Sequence, residues 1–554
     1  MALTPTRNKL KASTLSLIFL FLTVPLLLTL SFPPKPEVKF RGSIAENPQW
    51  YNVLAQEVQR RKIKVGLVNT DILELGEHGK VLQHGLADVV TIDFDRVDET
   101  LRWEDFFPEW IDEDRKWGQP SCPQIPMPRF ENYRDIGVVV ARVPCGGGGE
   151  GEGKGVRDVY RLQVNLLVAN MLVRSRWTND QGVVDRTVYS VFIGSCGPMW
   201  EIFRCDDLLW HEGDYWVYKP DLRRLSQKVM MPVGSCKLAP TKGELAGQKI
   251  WRSNTLSIQN ATPSQKPREA YVTILHSTES YVCGAIALAQ SIIQANSTRD
   301  LVLLADSSIS AQSLRGLRSA GWKVKSIKRI RSPHATRHAY NEWNYSKLRL
   351  WELTEYDKII FIDSDLIVVK NMDDFFIYPQ LSASGNDQVL FNSGVMLIEP
   401  SKCTFSTLTQ KRHEIASYNG GDQGFLNEMF TWWHRWPSRV NYLKIFEGED
   451  NVDRDIPNDL YAIHYLGLKP WMCYRDYDCN WDMLDQRVYA SDAAHQRWWK
   501  VYRDMPRRLQ KYCGLSEGMD ARIRKWRRKA KKANFPDVHW KIKVRDLRKW
   551  RHQS

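Results

Sequence analysis

The stretch Lys358-Ile-Ile-Phe-Ile-Asp-Ser-Asp365 decides the fold class of this 554-residue chain. Its four central apolar residues predict a buried β-strand, and two aspartates separated by one residue follow directly. Side chains at positions i and i+2 of an extended chain point the same way, so we expect Asp363 and Asp365 to share one cation. Hard divalent cations prefer oxygen ligands and often bind through one or two carboxylates together with substrate phosphates. The stretch therefore predicts a metal site at a strand end.

Two similar apolar runs precede this stretch and extend the pattern into an α/β fold. Tyr271-Val-Thr-Ile-Leu275 and Leu301-Val-Leu-Leu-Ala305 predict buried strands, and a helical pattern follows each of them. A strand–helix–strand–helix order predicts a parallel sheet with right-handed crossovers. Ligands of such sheets bind outside the carboxyl ends of the strands, which is where we expect His276, Ser277 and Asp306.

Polar motifs follow in chain order, and each of them taken alone is more often structural than functional. Asn392-Ser-Gly394 follows a strand-like Val389-Leu-Phe391, and Gly420-Gly-Asp-Gln-Gly424 opens a predicted helix over Phe425–Phe430. Ala462-Ile-His464 places an imidazole at another predicted strand end. The order and spacing of these motifs therefore carry more weight than any single one.

In this order the motifs resemble glycosyltransferase family 8, the glycogenin and galactinol synthase group of retaining transferases with a nucleotide-diphosphate-sugar donor. The family-like elements are Phe361-Ile-Asp-Ser-Asp365, Phe391-Asn-Ser-Gly-Val395, Asn419-Gly-Gly-Asp-Gln-Gly424 and His464-Tyr-Leu-Gly-Leu-Lys-Pro-Trp471. A closer resemblance, to the plant xylan glucuronosyltransferases, is carried by Asn341-Glu-Trp-Asn-Tyr-Ser-Lys347, Thr431-Trp-Trp-His-Arg435 and Trp471-Met-Cys-Tyr-Arg-Asp-Tyr-Asp-Cys479. The resemblance implies an α/β protein with a Rossmann-like GT-A domain, an additional N-terminal lumenal α/β domain and a single N-terminal transmembrane helix.

The resemblance also implies roles for individual residues. Mn²⁺ is expected on Asp363, Asp365 and His464, because carboxylate, imidazole and phosphate ligands suit that ion. The residues expected to bind the donor are Ile274, His276, Tyr281, Asp363, Ser364, Asp365, Asn392, Ser393, Gly394, Gly467 and Lys469. The residues expected to take part in catalysis are Asp422, Gln423 and Lys347. One departure is Asn419, which stands where glycogenin has an acidic residue.

The expected mechanism follows from the charges of sugar transfer, which builds an oxocarbenium-like sugar and a negative diphosphate leaving group. The metal and Lys469 would stabilise the leaving charge. No carboxylate nucleophile stands out, so we expect same-face attack, with Asp422 as the alternative nucleophile or base. A glucuronosyl donor also carries a carboxylate, for which Lys347 or an arginine within 329–337 is the expected partner.

The N-terminal residues predict a membrane anchor. Residues 12–32 are uncharged and long enough to cross a bilayer, and a cleavable signal peptide is the alternative. Lysines and arginines flank the segment on both sides and do not set its orientation. Glycosylation sequons at Asn260, Asn296 and Asn344 favour a lumenal C-terminus. We therefore expect a single-pass type II glycoprotein of the Golgi apparatus membrane.

The expected organisation has seven parts. They are a cytosolic tail over 1–11, the anchor over 12–32, a stem over 33–60, an N-terminal lumenal α/β domain over 61–240, a linker over 241–268, the GT-A domain over 269–480 and a basic helical extension over 481–554. All ten cysteines lie beyond the anchor, without zinc-type spacing. In an oxidising lumen some would form disulfides whose pairing the sequence does not give, and buried thiols are the alternative.

Two further features have a structural interpretation beside a functional one. Gly146–Gly155 holds seven glycines and mimics a phosphate-binding loop, but Gly155 stands where a serine or threonine is required. A flexible loop is the better interpretation. Trp432, Trp433 and Trp436 could stack on sugar rings or could belong to a tryptophan-rich core.

The net charge of +14 is concentrated at one end, because residues 521–554 hold fourteen lysines and arginines against two aspartates. A basic tail with aromatic residues is also typical of nucleic-acid binding, but an anchor and sequons indicate a different compartment. We predict a retaining, manganese-dependent transferase that moves glucuronic acid from UDP-glucuronate onto xylan in plant cell-wall synthesis. The alternatives are a different UDP-sugar donor, or a catalytically silent scaffold among other Golgi glycosyltransferases.

Overall fold

The computed structural model describes residues 49–57, 63–76, 88–106, 123–145, 157–175, 177–178, 184–185, 187–230, 267–387, 389–446, 454–546 and 548. The chain divides into two compact units, residues 1–52 and residues 53–554. The expected anchor over 12–32 and the glycine-rich stretch 146–155 lie outside the described residues. Within the ranges given above, no helix is both long enough and apolar enough to cross a bilayer.

Helix α1 (Gln49–Glu57) lies in the segment expected to be a stem. The α/β region that follows has the strands β1 (Lys64–Val68), β2 (Val89–Thr91), β3 (Ile136–Arg142), β4 (Trp177–Thr178), β5 (Val184–Asp185), β6 (Tyr189–Ile193), β7 (Leu208–Glu212) and β8 (Tyr215–Tyr218). Six of them form a sheet in the order β2-β1-β3-β6-β8-β7, and β4 pairs with β5. The first four strands of that order are parallel, and the last two are antiparallel additions. Helices α2 (Val159–Arg174) and α3 (Leu222–Met230) complete this region.

The strands of this region follow from their composition. β3 and β6 are nearly continuous runs of apolar, mostly β-branched or aromatic residues, and both are buried along most of their length. Such runs are typical of parallel strands that are covered on both faces. Helix α2 follows β3 in the chain and begins at Asp158, whose side chain accepts a hydrogen bond from the Arg161 backbone N–H.

The remaining strands are β9 (Glu269–Leu275), β10 (Asp300–Ala305), β11 (Lys323–Ser326), β12 (Lys358–Ile362), β13 (Leu366–Val368), β14 (Ser382–Gly385), β15 (Phe391–Ile398), β16 (His434–Trp436), β17 (Tyr442–Leu443) and β18 (Ala462–His464). A seven-stranded sheet has the order β11-β10-β9-β12-β15-β14-β16, and β13-β18-β17 form a small sheet. β9 to β12 are parallel to one another, as predicted. β15 lies beyond the strand–helix–strand–helix stretch that carried this prediction, and it runs antiparallel to β12, so the sheet is mixed.

The helices of this part are α4 (Val282–Gln294), α5 (Ala311–Ser319), α6 (Lys402–Lys411), α7 (Asp422–Met429), α8 (Asp492–Asp504), α9 (Arg507–Gln510) and α10 (Glu517–Lys532). The described residues form four disulfides, namely Cys145–Cys196, Cys205–Cys403, Cys283–Cys513 and Cys473–Cys479, of which the first three join residues at least 51 positions apart. Two of them matter for the site that follows. Cys283 ties α4 to the C-terminal extension, and Cys205 ties the first α/β region to α6.

Three tryptophans considered for sugar stacking belong to the core. Trp432, Trp433 and Trp436 are each at most 1% exposed. Their rings pack against protein rings; Trp433, for example, makes an edge contact with Phe391 at 5.6 Å between centroids. The stacking hypothesis is therefore wrong for these three side chains, because none of them offers a face to a ligand.

Candidate active site

The two aspartates after β12 lie in a tight turn between β12 and β13. Ser364 and Asp365 form the turn, which is closed by a hydrogen bond from the Leu366 backbone N–H to the Asp363 carbonyl at 3.2 Å. The expectation that an extended chain would align Asp363 and Asp365 is therefore wrong. The turn brings them together instead, and one ligand atom each from Asp363, Asp365 and His464 lie within 4.8 Å of one another.

His464 reaches the turn because β13 and β18 are antiparallel and pair Leu366 with His464. Asn441 fixes the direction of the ring, since His464 Nδ1 lies 3.1 Å from Asn441 Oδ1. An amide oxygen can only accept, so Nδ1 donates in this contact and Nε2 is the ring nitrogen left to face the carboxylates. Nε2 lies 3.4 Å from Asp365 Oδ1. This outer partner orients the imidazole toward the carboxylates, as metal-binding histidines require.

Two buried lysines flank the carboxylates. Lys347 Nζ lies 3.0 Å from Asp363 Oδ2 and 2.9 Å from Asp422 Oδ2. Lys469 Nζ lies 2.8 Å from Asp365 Oδ2. Burial opposes both lysine charges, but the carboxylates outweigh it and raise the pKa of both ammonium groups.

The two aspartates of the turn respond differently to these surroundings. Burial raises the pKa of Asp363 to about 6. Lys347 lowers this pKa, but the neighbouring carboxylates raise it as burial does. Burial also disfavours the charge on Asp365, but Lys469 and His464 outweigh it and hold its pKa below the usual range. Asp365 is therefore ionised under all physiological conditions.

Helix α7 supplies Asp422 and Gln423, two of the three residues expected to take part in catalysis. The helix begins at Asp422 rather than at Phe425, so Asp422 and Gln423 lie in its first turn. Ser393 Oγ donates a hydrogen bond to Asp422 Oδ2 at 2.8 Å, and the Ser393 backbone N–H donates to Gln423 Oε1 at 3.2 Å. Asn427, one turn further on, fastens α7 to β15 through both backbone groups of Phe391. These hydrogen bonds hold the start of α7 against β15 at Phe391 and Ser393.

The Asn392-Ser-Gly394 triplet lies inside β15. The sequence pattern had predicted that it would follow a strand. Asn392 Oδ1 accepts hydrogen bonds from the Gly394 backbone N–H and from Asn441 Nδ2, both at 2.9 Å. The Asp363 backbone N–H donates to the Gly394 carbonyl at 2.8 Å. Gly394 is required here, because an added Cβ would lie 2.6 Å from His464 Cε1.

Three of the residues expected to bind the donor, Ile274, His276 and Tyr281, lie at or after the carboxyl end of β9. Ile274 is buried in the strand, and burial lowers the pKa of His276 to about 4, so its imidazole is neutral at pH 7. The Tyr281 ring makes an edge contact with Trp471 at 5.8 Å. Trp471 in turn donates from Nε1 to the Ser280 carbonyl at 2.8 Å. Stacking on a base would use the face of Tyr281, whose edge-on contact with Trp471 holds the ring in place.

Glycines allow two close approaches in this region. Gly467 has φ +72°, a left-handed conformation that favours glycine, and a Cβ there would lie 2.6 Å from Asn480 Oδ1. A Cβ on Gly284 in α4 would lie 2.3 Å from the Ser364 carbonyl. The Asp-Ser-Asp turn thus rests directly on the backbone of α4.

Asn419, the departure from the family pattern, has a structural role. Its Oδ1 accepts hydrogen bonds from the backbone N–H groups of Gly421 at 2.9 Å and Gly424 at 3.2 Å. The Asn341 side chain donates to the Asn419 carbonyl at 2.8 Å. Asn419 therefore shapes the turn that leads into α7 and ties it to the loop around residue 341.

The first α/β region holds the far end of α7, which the sequence did not indicate. Arg157 Nη2 lies 3.1 Å from Glu428 Oε2. Trp200 Nε1 donates to the Met429 carbonyl at 3.1 Å, and Glu201 Oε1 accepts from Thr431 Oγ1 at 3.0 Å. We call these three contacts the α7 clamp.

The donor set fits a divalent cation. Two carboxylates and one imidazole whose Nε2 faces them suit first-row ions such as manganese. Asp363, Asp365 and Asp422 carry three negative charges against two on Lys347 and Lys469. A divalent ion would turn this excess into a net positive charge, which favours a diphosphate.

Two parts of the chain match known protein families. Residues 272–473 match the family described as Glycosyl transferase family 8, and residues 41–236 match the family described as GUX1-5 N-terminal domain. The first match and the mixed sheet confirm the expected GT-A-like α/β fold. Glycosyltransferases with this fold commonly use a divalent metal.

Individual relatives agree with these matches. The chain is 53% identical over 521 residues to "Putative UDP-glucuronate:xylan alpha-glucuronosyltransferase 5" of Arabidopsis thaliana, covering 92% of this chain and 91% of the relative. It is 49% identical over 504 residues to UDP-glucuronate:xylan alpha-glucuronosyltransferase 2 of Arabidopsis thaliana, covering 88% and 81%. Human glycogenin-1 is 30% identical over 253 residues, covering 42% of this chain and 71% of the relative. The chain therefore belongs to glycosyl transferase family 8, in the group of the plant xylan alpha-glucuronosyltransferases, and is a UDP-sugar glycosyltransferase.

Proposed function

We propose that this chain transfers glucuronic acid from UDP-glucuronate onto xylose residues of xylan and that it retains the anomeric configuration. The observation that carries the proposal is the convergence of Asp363, Asp365 and His464. Two buried lysines flank them, and Lys347 also contacts Asp422 at the start of α7, while Lys469 contacts Asp365. The names of the relatives supply the donor and the acceptor, since enzymes of this group are xylan alpha-glucuronosyltransferases.

Asp363, Asp365 and His464 would hold Mn²⁺, which as a Lewis acid would stabilise the negative charge of the departing diphosphate. Lys469 would support the same charge, because its ammonium group already lies beside Asp365 and is fixed by the Tyr465 carbonyl at 2.5 Å. The three residues that would hold the ion and the Lys469 ammonium group are in position before the donor arrives. Charges that are fixed in advance cost little reorganisation during the reaction.

The surroundings of Asp422 favour same-face attack over a covalent intermediate. Its Oδ2 accepts a hydrogen bond from Ser393 and lies 2.9 Å from the Lys347 ammonium group. A carboxylate oxygen that is bound by a cation and a hydroxyl is a weak nucleophile. We infer that Asp422 and Gln423 position the sugar and that a departing phosphate oxygen takes the proton of the acceptor hydroxyl.

The carboxylate of the donor requires a cation, and the loop before Lys347 offers one. Lys347 is occupied by two aspartates, Arg329 Nε lies 2.8 Å from Asp306 Oδ2, and Arg331 Nε lies 2.9 Å from Glu342 Oε1. The same loop contacts the turn before α7, because Ser332 Oγ donates to the Gly420 carbonyl. Arg337 is exposed in this loop. We assign the donor carboxylate to Arg337.

We also propose a Golgi membrane location with the catalytic region in the lumen. Four disulfides among the described residues support an oxidising compartment, because such bonds are rare in the cytosol. The uncharged residues 12–32 would supply the anchor. Protection of the C-terminal part from protease in sealed microsomes would support this topology, and cleavage without detergent would contradict it.

The test of the activity uses the detergent-solubilised full chain with xylohexaose and Mn²⁺. UDP-glucuronate, UDP-galactose and UDP-galacturonate are supplied separately, and products are identified by mass and by the anomeric proton in NMR spectra. We expect an α-linked glucuronosyl product from UDP-glucuronate and no product after chelation of the metal. Transfer from another donor would reassign the substrate, and the absence of both transfer and UDP release with every donor would favour a scaffold.

A further inference from the structure

A large cavity lies in the first α/β region, far along the chain from the family 8 motifs. It has a volume of about 900 Å³, and its lining includes Arg96, Asp98, Glu99, Arg102, Arg157 and Tyr160. Ligand sites in proteins commonly span about 300–1,000 Å³. The cavity is therefore large enough for a ligand of several rings.

The position of the cavity is typical of a ligand site in an α/β sheet. Residues 96–104 follow β2, and residues 157–160 follow β3 and begin α2. Tyr160 donates a hydrogen bond at 2.5 Å to Asn69, which directly follows β1. The lining thus comes from the segments that follow β2 and β3, and Tyr160 ties it to the end of β1, at the edge where open α/β sheets bind ligands.

The charges of the lining favour an uncharged ligand. Three arginines face four acidic residues, which also include Glu104 and Asp158. Arg96 lies 3.3 Å from Glu99, and its guanidinium lies 4.2 Å from the centroid of the Tyr160 ring. A nucleotide or phosphate site would need a clear excess of positive charge. Hydroxyl groups both donate and accept, so a polyhydroxyl ligand can use the arginines and the carboxylates together.

One residue of the cavity connects it to the catalytic helix. Arg157 lines the cavity and also binds Glu428 as part of the α7 clamp. Glu428 follows Asp422 by six residues, which is about 9 Å along a helix. Arg157 therefore places the cavity near the far end of α7, within the reach of a long polymer that has one sugar at Asp422.

We propose that the cavity binds uncharged xylose residues of the acceptor chain, several sugars away from the residue that receives the glucuronosyl group. This inference rests on the proposed transfer to xylan. It gives the first α/β region a function in the choice of acceptor, since long chains would reach both the active site and the cavity while short ones would reach only the former.

The test compares wild-type full chain with Arg96→Ala/Arg102→Ala, using Arg268→Ala as the control. Arg268 is an exposed arginine paired with Asp357 at the surface. We expect the KM for long xylan to rise about tenfold in the double variant, from the loss of hydrogen-bond donors. Transfer to xylobiose and release of UDP without acceptor should stay at the wild-type level. If the ratio of the KM for long xylan to the KM for xylobiose is unchanged in the double variant, the proposal is overturned.

A second measurement separates this proposal from the proposed function. Each cavity variant is combined with Asp365→Ala, which is expected to block turnover, and its migration is measured by electrophoresis through gels that contain xylan. Retardation that is lost with Arg96→Ala/Arg102→Ala supports the cavity even where no transfer is found. Equal retardation of Asp365→Ala with and without Arg96→Ala/Arg102→Ala contradicts the proposal. If the double variant does not fold, Arg102→Ala alone, a change at an exposed side chain, is measured in the same way.

Discussion

Gly394→Ala tests the metal site most sharply, because it adds one methyl group against His464 and removes no ligand. The added Cβ would lie 2.6 Å from His464 Cε1 and 2.8 Å from Asn392 Oδ1. Carbon atoms pack best at about 3.5–4.0 Å, so the imidazole must move by about 1 Å. Misplacement of a catalytic group by that amount can cost about 100-fold in rate. Overpacking should also lower the free energy of unfolding by about 1–3 kcal/mol.

The assay measures UDP release and transfer to xylohexaose across a titration of Mn²⁺. For Gly394→Ala we expect kcat to fall about 100-fold and the Mn²⁺ midpoint to rise. The matched control is Gly518→Ala in α10, where an added Cβ meets no atom within 4 Å and activity should be unchanged. A folded Gly394→Ala protein with the wild-type kcat and Mn²⁺ midpoint would refute the role given to His464.

Three further predictions concern other parts of the molecule. Asp365→Ala should abolish transfer and metal-dependent UDP binding in calorimetry, because it removes a ligand and leaves Lys469 unpaired; full activity would end the metal assignment. Arg337→Gln should reduce transfer from UDP-glucuronate at least tenfold more than the control Arg268→Ala does. An unchanged KM for the donor would remove Arg337 from the carboxylate site. His539 lies 2.8 Å from both Asp492 and Asp537, which outweigh burial and raise its pKa to about 9. A raised pKa stabilises the fold fully below about pH 6.5 and less as the pH rises through about 9, so the Tm difference between wild type and His539→Gln should shrink over that interval.

The strands were predictable where the apolar signal is strong and local. β12 was expected from its apolar run and is Lys358–Ile362, and β9 and β10 also include the predicted residues. The direction of β15 was not predictable, because its apolar composition is the same for a parallel and an antiparallel strand. The start of α7 was missed by three residues, since the helix was predicted from Phe425, and Asp422 and Gln423 already lie in its first turn.

The site could be predicted in its residues but not in its geometry. The motifs named the two aspartates and His464, which the fold brings together through a turn and a strand pairing. Asn441 was missed because a single asparagine after a short 3-10 helix has no distinguishing sequence signal. The α7 clamp was missed for a different reason, since its partners are more than 220 residues apart in the chain. Contacts of that range depend on the finished fold.

The α7 clamp has a consequence for engineering and for divergence among relatives. In a chimera that exchanges the first α/β region between two relatives, the residues at positions 157, 200 and 201 and their surroundings come from one relative. The end of α7 that they contact comes from the other. The two halves must therefore change in concert, and grafting the catalytic half alone onto an unrelated scaffold would release the helix that carries Asp422. Active chimeras should therefore take both sides of the α7 clamp from the same relative.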